Sequence, residues 1–187
     1  MLCILRKVTM THSTHVSLSL NALLCVTVIT TSVAGVFFKY EYFAPILVGV
    51  IIGSLLPDID EPESYIGKRF LPVSGVVNIL FGHRGASHYL IAPLTLLLVA
   101  LFTSGVVSLF FVGLSFGYFF HLIGDMMTLG GIKGFLYPFG QKSKVYAVLP
   151  KRFRFRTNSL YEKLIAGILG VSFFCQIYFI YHTGGIR

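Results

Sequence analysis

From Val16 to Phe38 the chain carries no charged side chain. About 20 apolar residues in helical form suffice to cross the hydrocarbon of a bilayer. Backbone N–H and C=O groups find no water there, so a spanning segment must bond to itself as a helix. This one run therefore excludes most soluble folds. Arg6 and Lys7 ahead of it, with Ser32-Val33-Ala34 near its end, have the look of a secretory signal. The run is longer than the usual apolar core of about 7–15 residues in such signals, and it reads as a span.

Further apolar stretches follow. Phe43–Leu56 is short and is stopped by Pro57. Tyr89–Phe120 is too long for one crossing, and Thr103, Ser104 and Gly105 mark a turn inside it. It divides into Tyr89–Phe102 and Val106–Met126, and Leu160–Tyr181 supplies a last span. The expected fold class is all-α: a multi-pass membrane bundle of about five helices, one integral-membrane domain over residues 1–187. Composition agrees, with 55% hydrophobic and 12% charged residues where soluble domains average about 25% charged. Cys3, Cys25 and Cys175 are far apart and form no CxxC pair, which argues against a thiolate metal site.

The formal charge of +8 is unevenly placed. Threading five spans puts Arg6, Lys7, Lys68, Arg69, Arg84 and the basic loop 131–159 on one side, with Lys39 and Arg187 on the other. The positive-inside rule makes the basic side cytoplasmic. "KRFRFR" at 151–156 alternates cation and Phe, which on a strand separates a basic face from an aromatic one. Beside a bilayer this suits anionic headgroups; no nucleic-acid partner is expected.

The same threading gathers polar motifs on that side. His15 opens the first span, and Asp58 and Asp60 close the second. His83, Arg84 and His88, in "FGHRGASH", precede the third, and His121 and Asp125 end the fourth. His121 and Asp125 are four apart and share a helix face. An extended segment after Pro57 would point Asp58 and Asp60 the same way. Imidazole and carboxylate together suit zinc, manganese or iron, and seven donors are enough for one or two ions per chain. Ionisable residues at membrane depth are a functional-site hypothesis by default. His12 is read as belonging to a mobile tail, and His182 lies at the opposite end.

"MTHSTH" at 10–15, "LLPDID" at 55–60, S-x-x-G-x-R at 64–69, "GHRGASH" at 82–88 and "GYFFHLIGDMMTLGG" at 117–131 occur in one order. On these motifs the chain resembles the YdjM-like bacterial inner-membrane metal-dependent hydrolases, whose founding member is described as LexA-regulated. Ser87 stands where that pattern usually has Thr, and it keeps the hydroxyl. The pattern begins near Met10, which makes residues 1–9 a candidate mis-called start. The resemblance implies a hydrolase of the bacterial inner membrane, and a distant similarity to zinc-dependent phospholipase C and S1/P1-type nucleases favours a phosphoester, phospholipid-like substrate. The expected ligands are His15, Asp58, Asp60, His83, His88, His121 and Asp125, around a cation that is most simply zinc, at a site facing the cytoplasm. Asp58 or Asp60 would serve as general base, and Arg84 would face the anionic oxygen of the substrate. Competing readings are a structural or sensory metal cluster and a transporter.

Overall fold

A computed structural model describes residues 10–81 and 85–186. Residues 1–9, His83 and Arg84 lie outside the described residues. The helices are α1 (His12–Ala34), α2 (Tyr40–Gly53), α3 (Leu71–Phe81), α4 (Ile91–Leu101), α5 (Gly105–Met127) and α6 (Leu160–Thr183). Short 3₁₀ turns cover Leu56–Asp60, Ala86–His88 and Lys151–Phe153, and one small antiparallel pair joins β1 (Ile132–Lys133) to β2 (Val145–Tyr146). Four segments are long and apolar enough to cross a membrane: His12–Ala34, Tyr40–Asp60, Gly105–Met127 and Leu160–Thr183. The expected all-α membrane bundle is what forms.

The five expected helices are present, but the one expected over Tyr89–Phe102 is the 11-residue α4, which is not among the long candidate spans; it turns into α5 at Thr103 and Ser104, with Gly105 at φ +59°. The sixth helix, α3, was not foreseen. The 151–156 stretch also differs from expectation. Lys151–Phe153 is a 3₁₀ turn after Pro150, and only Phe155 bridges to Thr128. Phe155 is buried in that contact, so the residues do not present two strand faces.

The packing of α2 on α5 sets the rest. Gly49 and Gly53 on α2 meet Gly113 and Gly117 on α5, each pair four residues apart. A Cβ on Gly117 would lie 2.2 Å from the Val50 carbonyl oxygen, and one on Gly53 would lie 2.1 Å from that of Leu114. The two backbones therefore touch. Between lipid-exposed helices there is little hydrophobic drive, and such small-residue seams supply close van der Waals contact instead. The contacts run in step, Ile46 with Gly113 and Val50 with Gly117, so the helices are parallel. Both end at the same face of the bundle.

α1 and α6 run the other way. Thr11 is hydrogen-bonded to Glu162, Asn21 to the Leu169 carbonyl, and Phe38 bridges to Ile186 at the far end. An apolar cluster of Leu23, Leu24, Phe43, Val50 and Ile180 fills the far half. Tyr118, Leu122, Met126 and Ile132 form a second cluster beside the polar end. The segment after α5 folds back over that end, where Val148 N–H donates to the Met126 carbonyl and Leu129 N–H to that of Phe155. Of the described lysines and arginines, only Lys39 sits at the far end.

The seam makes Gly117→Ala destabilising by about 1–3 kcal/mol, because neither backbone can yield without separating the helices. Gly170→Ala on α6, where nothing lies within 4 Å, should instead be neutral or stabilising by about 0.5–1 kcal/mol. Unfolding of the two variants in detergent, followed by circular dichroism, measures the contrast.

Candidate metal centre

α5 delivers His121 and Asp125 on one face, as their spacing requires. The imidazole Nδ1 of His121 donates to the Ser54 carbonyl at 2.7 Å. That carbonyl stands at the end of α2, and the glycine seam sets its position. Nε2 is then the acceptor nitrogen, 3.7 Å from Asp58 Oδ1 and 3.9 Å from Asp125 Oδ2. His15 on α1 stacks on His121, with centroids 3.7 Å apart and planes at 11°. Its Nε2 lies 3.6 Å from Asp125 Oδ1. Gly124 makes room for His15, because a Cβ there would lie 2.9 Å from its Nδ1.

Leu56–Asp60 is a 3₁₀ turn and not the extended segment expected. Pro57, at the start of the turn, has its φ preset for this geometry. At three residues per turn, positions two apart do not share a face. Asp58 accordingly turns toward His121, while Asp60 turns toward His88. The S-x-x-G-x-R motif braces this turn. Ser64 Oγ donates to the Asp58 carbonyl and accepts from Gly67 N–H, and Gly67 admits no Cβ beside the Glu61 carbonyl. Asn78 on α3 donates to the Asp60 carbonyl.

His88 is fully buried between two carboxylates. Nδ1 lies 3.2 Å from Asp60 Oδ2, and Nε2 lies 3.3 Å from Asp125 Oδ2. Ser87 Oγ donates to the same Asp60 oxygen, and Tyr118 Oη donates to the Ser87 carbonyl. Burial alone would lower the His88 pKa, but the hydrogen bonds and charges of Asp125 and Asp60 outweigh it and push it up to about 9. A cation at Nε2 has to displace that proton.

Two groups of donors are close enough to hold an ion: His15, His121 and Asp125, and Asp58, His88 and His121. In each, the ligand atoms all lie within 4.8 Å of one another. Each is two imidazoles and one carboxylate. Ligands about 2.0–2.1 Å from a tetrahedral zinc sit about 3.3–3.4 Å apart. The N···O separations of 3.3 to 3.9 Å around Asp125 and Asp58 are of that order. His121 Nε2 and Asp58 Oδ1 are buried and accept no hydrogen bond among the described residues, so the donor set fits a divalent cation. Asp60 belongs to neither group. It stands behind His88, where a carboxylate orients a ligating imidazole.

His15, Asp58, Asp60, His88, His121 and Asp125 thus converge, while His83 and Arg84 fall outside the described residues. The supporting Ser54 and Asn78 were not singled out from sequence, while Ser64, Tyr118 and Gly124 lie in the quoted motifs without a role assigned there. His12 is no tail residue: it is the first residue of α1 and stacks on Tyr65.

A family model described as YdjM inner membrane protein matches residues 10–184. The chain belongs to this family. Inner membrane protein YdjM of Escherichia coli (strain K12) is 34% identical over 132 residues, 63% of this chain and 66% of that protein, and the Shigella flexneri protein of the same name matches equally. The chain therefore spans just under two thirds of the length of these relatives. A Bacillus subtilis (strain 168) relative, Uncharacterized protein YvsG, is 33% identical over 147 residues, 76% of this chain and 86% of that protein. No solved structure matches. With four long apolar helices, the chain is a multi-pass inner membrane protein of the YdjM family.

The start of α1, which carries His15, is held by α6. Ser159 caps α6 by accepting from Glu162 N–H. Buried Glu162 in turn accepts from Thr11 N–H at 2.7 Å and Thr11 Oγ1 at 2.9 Å. Glu162→Ala strands these donors and should cost about 1–3 kcal/mol. Hydrogen exchange at the first turn of α1 should speed up while α5 keeps its protection.

Proposed function

We propose that this YdjM-family protein is a membrane-bound, metal-dependent hydrolase of phosphoesters. The observation that carries this reading is the pair of two-histidine, one-carboxylate groups that share His121, with Asp58 at their solvent edge. Catalytic zinc sites use three protein ligands and leave a position open. Held by His121 with His15 and Asp125, or with Asp58 and His88, a divalent cation, zinc first, would supply Lewis acidity toward water and a phosphoryl oxygen.

The rest is done by the chain. His121 offers a single nitrogen, Nε2, to both groups, so the geometry favours one ion per chain. Asp60 is engaged with Ser87 and His88. With the ion on His15, His121 and Asp125, Asp58 is the better proton acceptor of the two, a carboxylate at the edge of the site within reach of an attacking water. Arg84 keeps the role that the sequence assigns, binding an anionic phosphoryl oxygen through its paired N–H donors. The excess of lysine and arginine at this end of the bundle supports a cytoplasmic orientation.

The test is turnover of a chromogenic phosphodiester and of a micellar phospholipid by the zinc-loaded full chain in detergent. His121→Ala and Asp125→Asn should each lower kcat/KM at least about 100-fold, in line with a lost ligand or electrostatic group. His15→Ala and His88→Ala identify which group holds the ion, since only one of them should release it. A folded, zinc-loaded protein that turns over neither substrate class would refute the enzyme reading and leave a structural ion.

A further inference from the structure

Among its described residues, the cluster reaches solvent at Asp58. Asp58 retains 11% of its side-chain exposure, against 0–1% for His15, His88, His121 and Asp125. Asp58 lines a cavity of about 140 Å³, whose walls include His12, Ser64, Tyr65 and Thr157. An adjoining depression of about 440 Å³ is lined by His12, Glu63, Tyr65, Lys68 and Arg69. The two spaces share a wall, which is the stacked pair of His12 and Tyr65, with centroids 4.8 Å apart and planes at 12°. The Arg69 guanidinium lies 4.3 Å over the Tyr65 ring. The outer space is of ligand size, within the usual range of about 300–1,000 Å³. The inner one is too small for a whole headgroup and would admit only the reacting phosphate.

Arg69 leads almost directly into α3. That helix has 11 residues, about 16 Å at 1.5 Å per residue, and cannot cross a hydrocarbon layer about 30 Å thick. Leu71, Val73, Val76, Ile79 and Leu80 are exposed along it. Ser74 and Asn78, one turn apart, form its inward face, with Ser74 buried and Asn78 bonded to Asp60. A helix with an apolar outer face and a polar seam toward the protein is stable where that face meets lipid. Placed so, α3 would dip into the leaflet, with Lys68 and Arg69 at its start at headgroup level.

We propose that the outer depression is a headgroup pocket for an anionic phosphate-bearing amphiphile. Lys68 and Arg69 hold the phosphate, with Arg69 able to bind it through two parallel N–H bonds. Two cations against the one carboxylate of Glu63 leave the pocket positive. The exposed face of α3 lies beside the acyl chains. The His12–Tyr65 pair stands between this pocket and the space beside Asp58. What happens at Asp58 rests on the hydrolase reading, whereas binding in the pocket does not. A lipid headgroup and free phosphate share this chemistry, and they are separated by experiment.

The full chain in neutral detergent is titrated by calorimetry with dihexanoyl phosphatidic acid and, separately, with inorganic phosphate. Metal content is measured on each sample. Lys68→Gln combined with Arg69→Gln should weaken binding at least about tenfold, the loss of charge-assisted bonds, with metal content unchanged. Both residues are exposed, so the fold should tolerate the change, and Arg69→Lys alone should restore part of the affinity. Tighter binding of the lipid than of phosphate assigns the pocket to the membrane, while equal binding assigns it to a soluble phosphoester. Unchanged affinity in the double variant, or no binding of either probe by the wild type, overturns the proposal. Binding that is lost in the double variant, in a protein that takes up no metal, refutes the hydrolase reading and leaves the pocket standing.

Discussion

The contact between the backbones of α2 and α5 is the constraint on which the polar end of this protein depends. Four glycines let two parallel helices approach until a carbonyl of one lies where a side chain of the other would begin. The payoff is positional. With α2 fixed against α5, the Ser54 carbonyl meets His121 Nδ1 at 2.7 Å and leaves Nε2 facing inward. The 3₁₀ turn that continues α2 then brings Asp58 and Asp60 to the same level as His121 and Asp125. A side chain at any of these glycines would shift the frame in which the donors are placed.

Three carboxylates and three imidazoles from four segments meet in a volume from which water is nearly excluded. Buried carboxylates are costly unless positive charge or hydrogen-bond donors surround them. Some of that compensation is in place. Ser87 and His88 serve Asp60, and His88 also faces Asp125. A divalent cation on His121 would compensate the rest. The described lysines and arginines of this end are exposed or half-buried and lie outside the cluster, so they suit orientation and capture of anions. α3 and the loop before it connect the two regions.

The spans were legible in the sequence because each is an uncharged run with clear stops, such as Pro57 and the Thr103–Gly105 turn. α3 was not, since 11 residues broken by Ser74, Gly75 and Asn78 match neither a span nor an amphipathic surface helix. The site was legible as a residue set, because the spans thread His15, Asp58, Asp60, His88, His121 and Asp125 to one end. The roles within the set were not. Asp58 and Asp60 diverge because a Pro-initiated 3₁₀ turn, not a strand, follows α2, and spacing alone does not distinguish the two. The glycine pairs at 49 and 53 and at 113 and 117 were a signal available in the sequence, as small residues four apart on apolar helices. His12 needed the fold, because only the 61–70 loop brings Tyr65 beneath it.

The central claim is that this polar cluster binds a cation through histidine nitrogen and carboxylate oxygen. Zinc-edge X-ray absorption on the full chain, purified in detergent and loaded with zinc, tests it most directly. The account predicts one zinc per chain, with nitrogen and oxygen ligands at about 2.0–2.1 Å and outer-shell scattering from two imidazoles. A folded protein that retains no zinc, or zinc in a shell of oxygen alone, would contradict it.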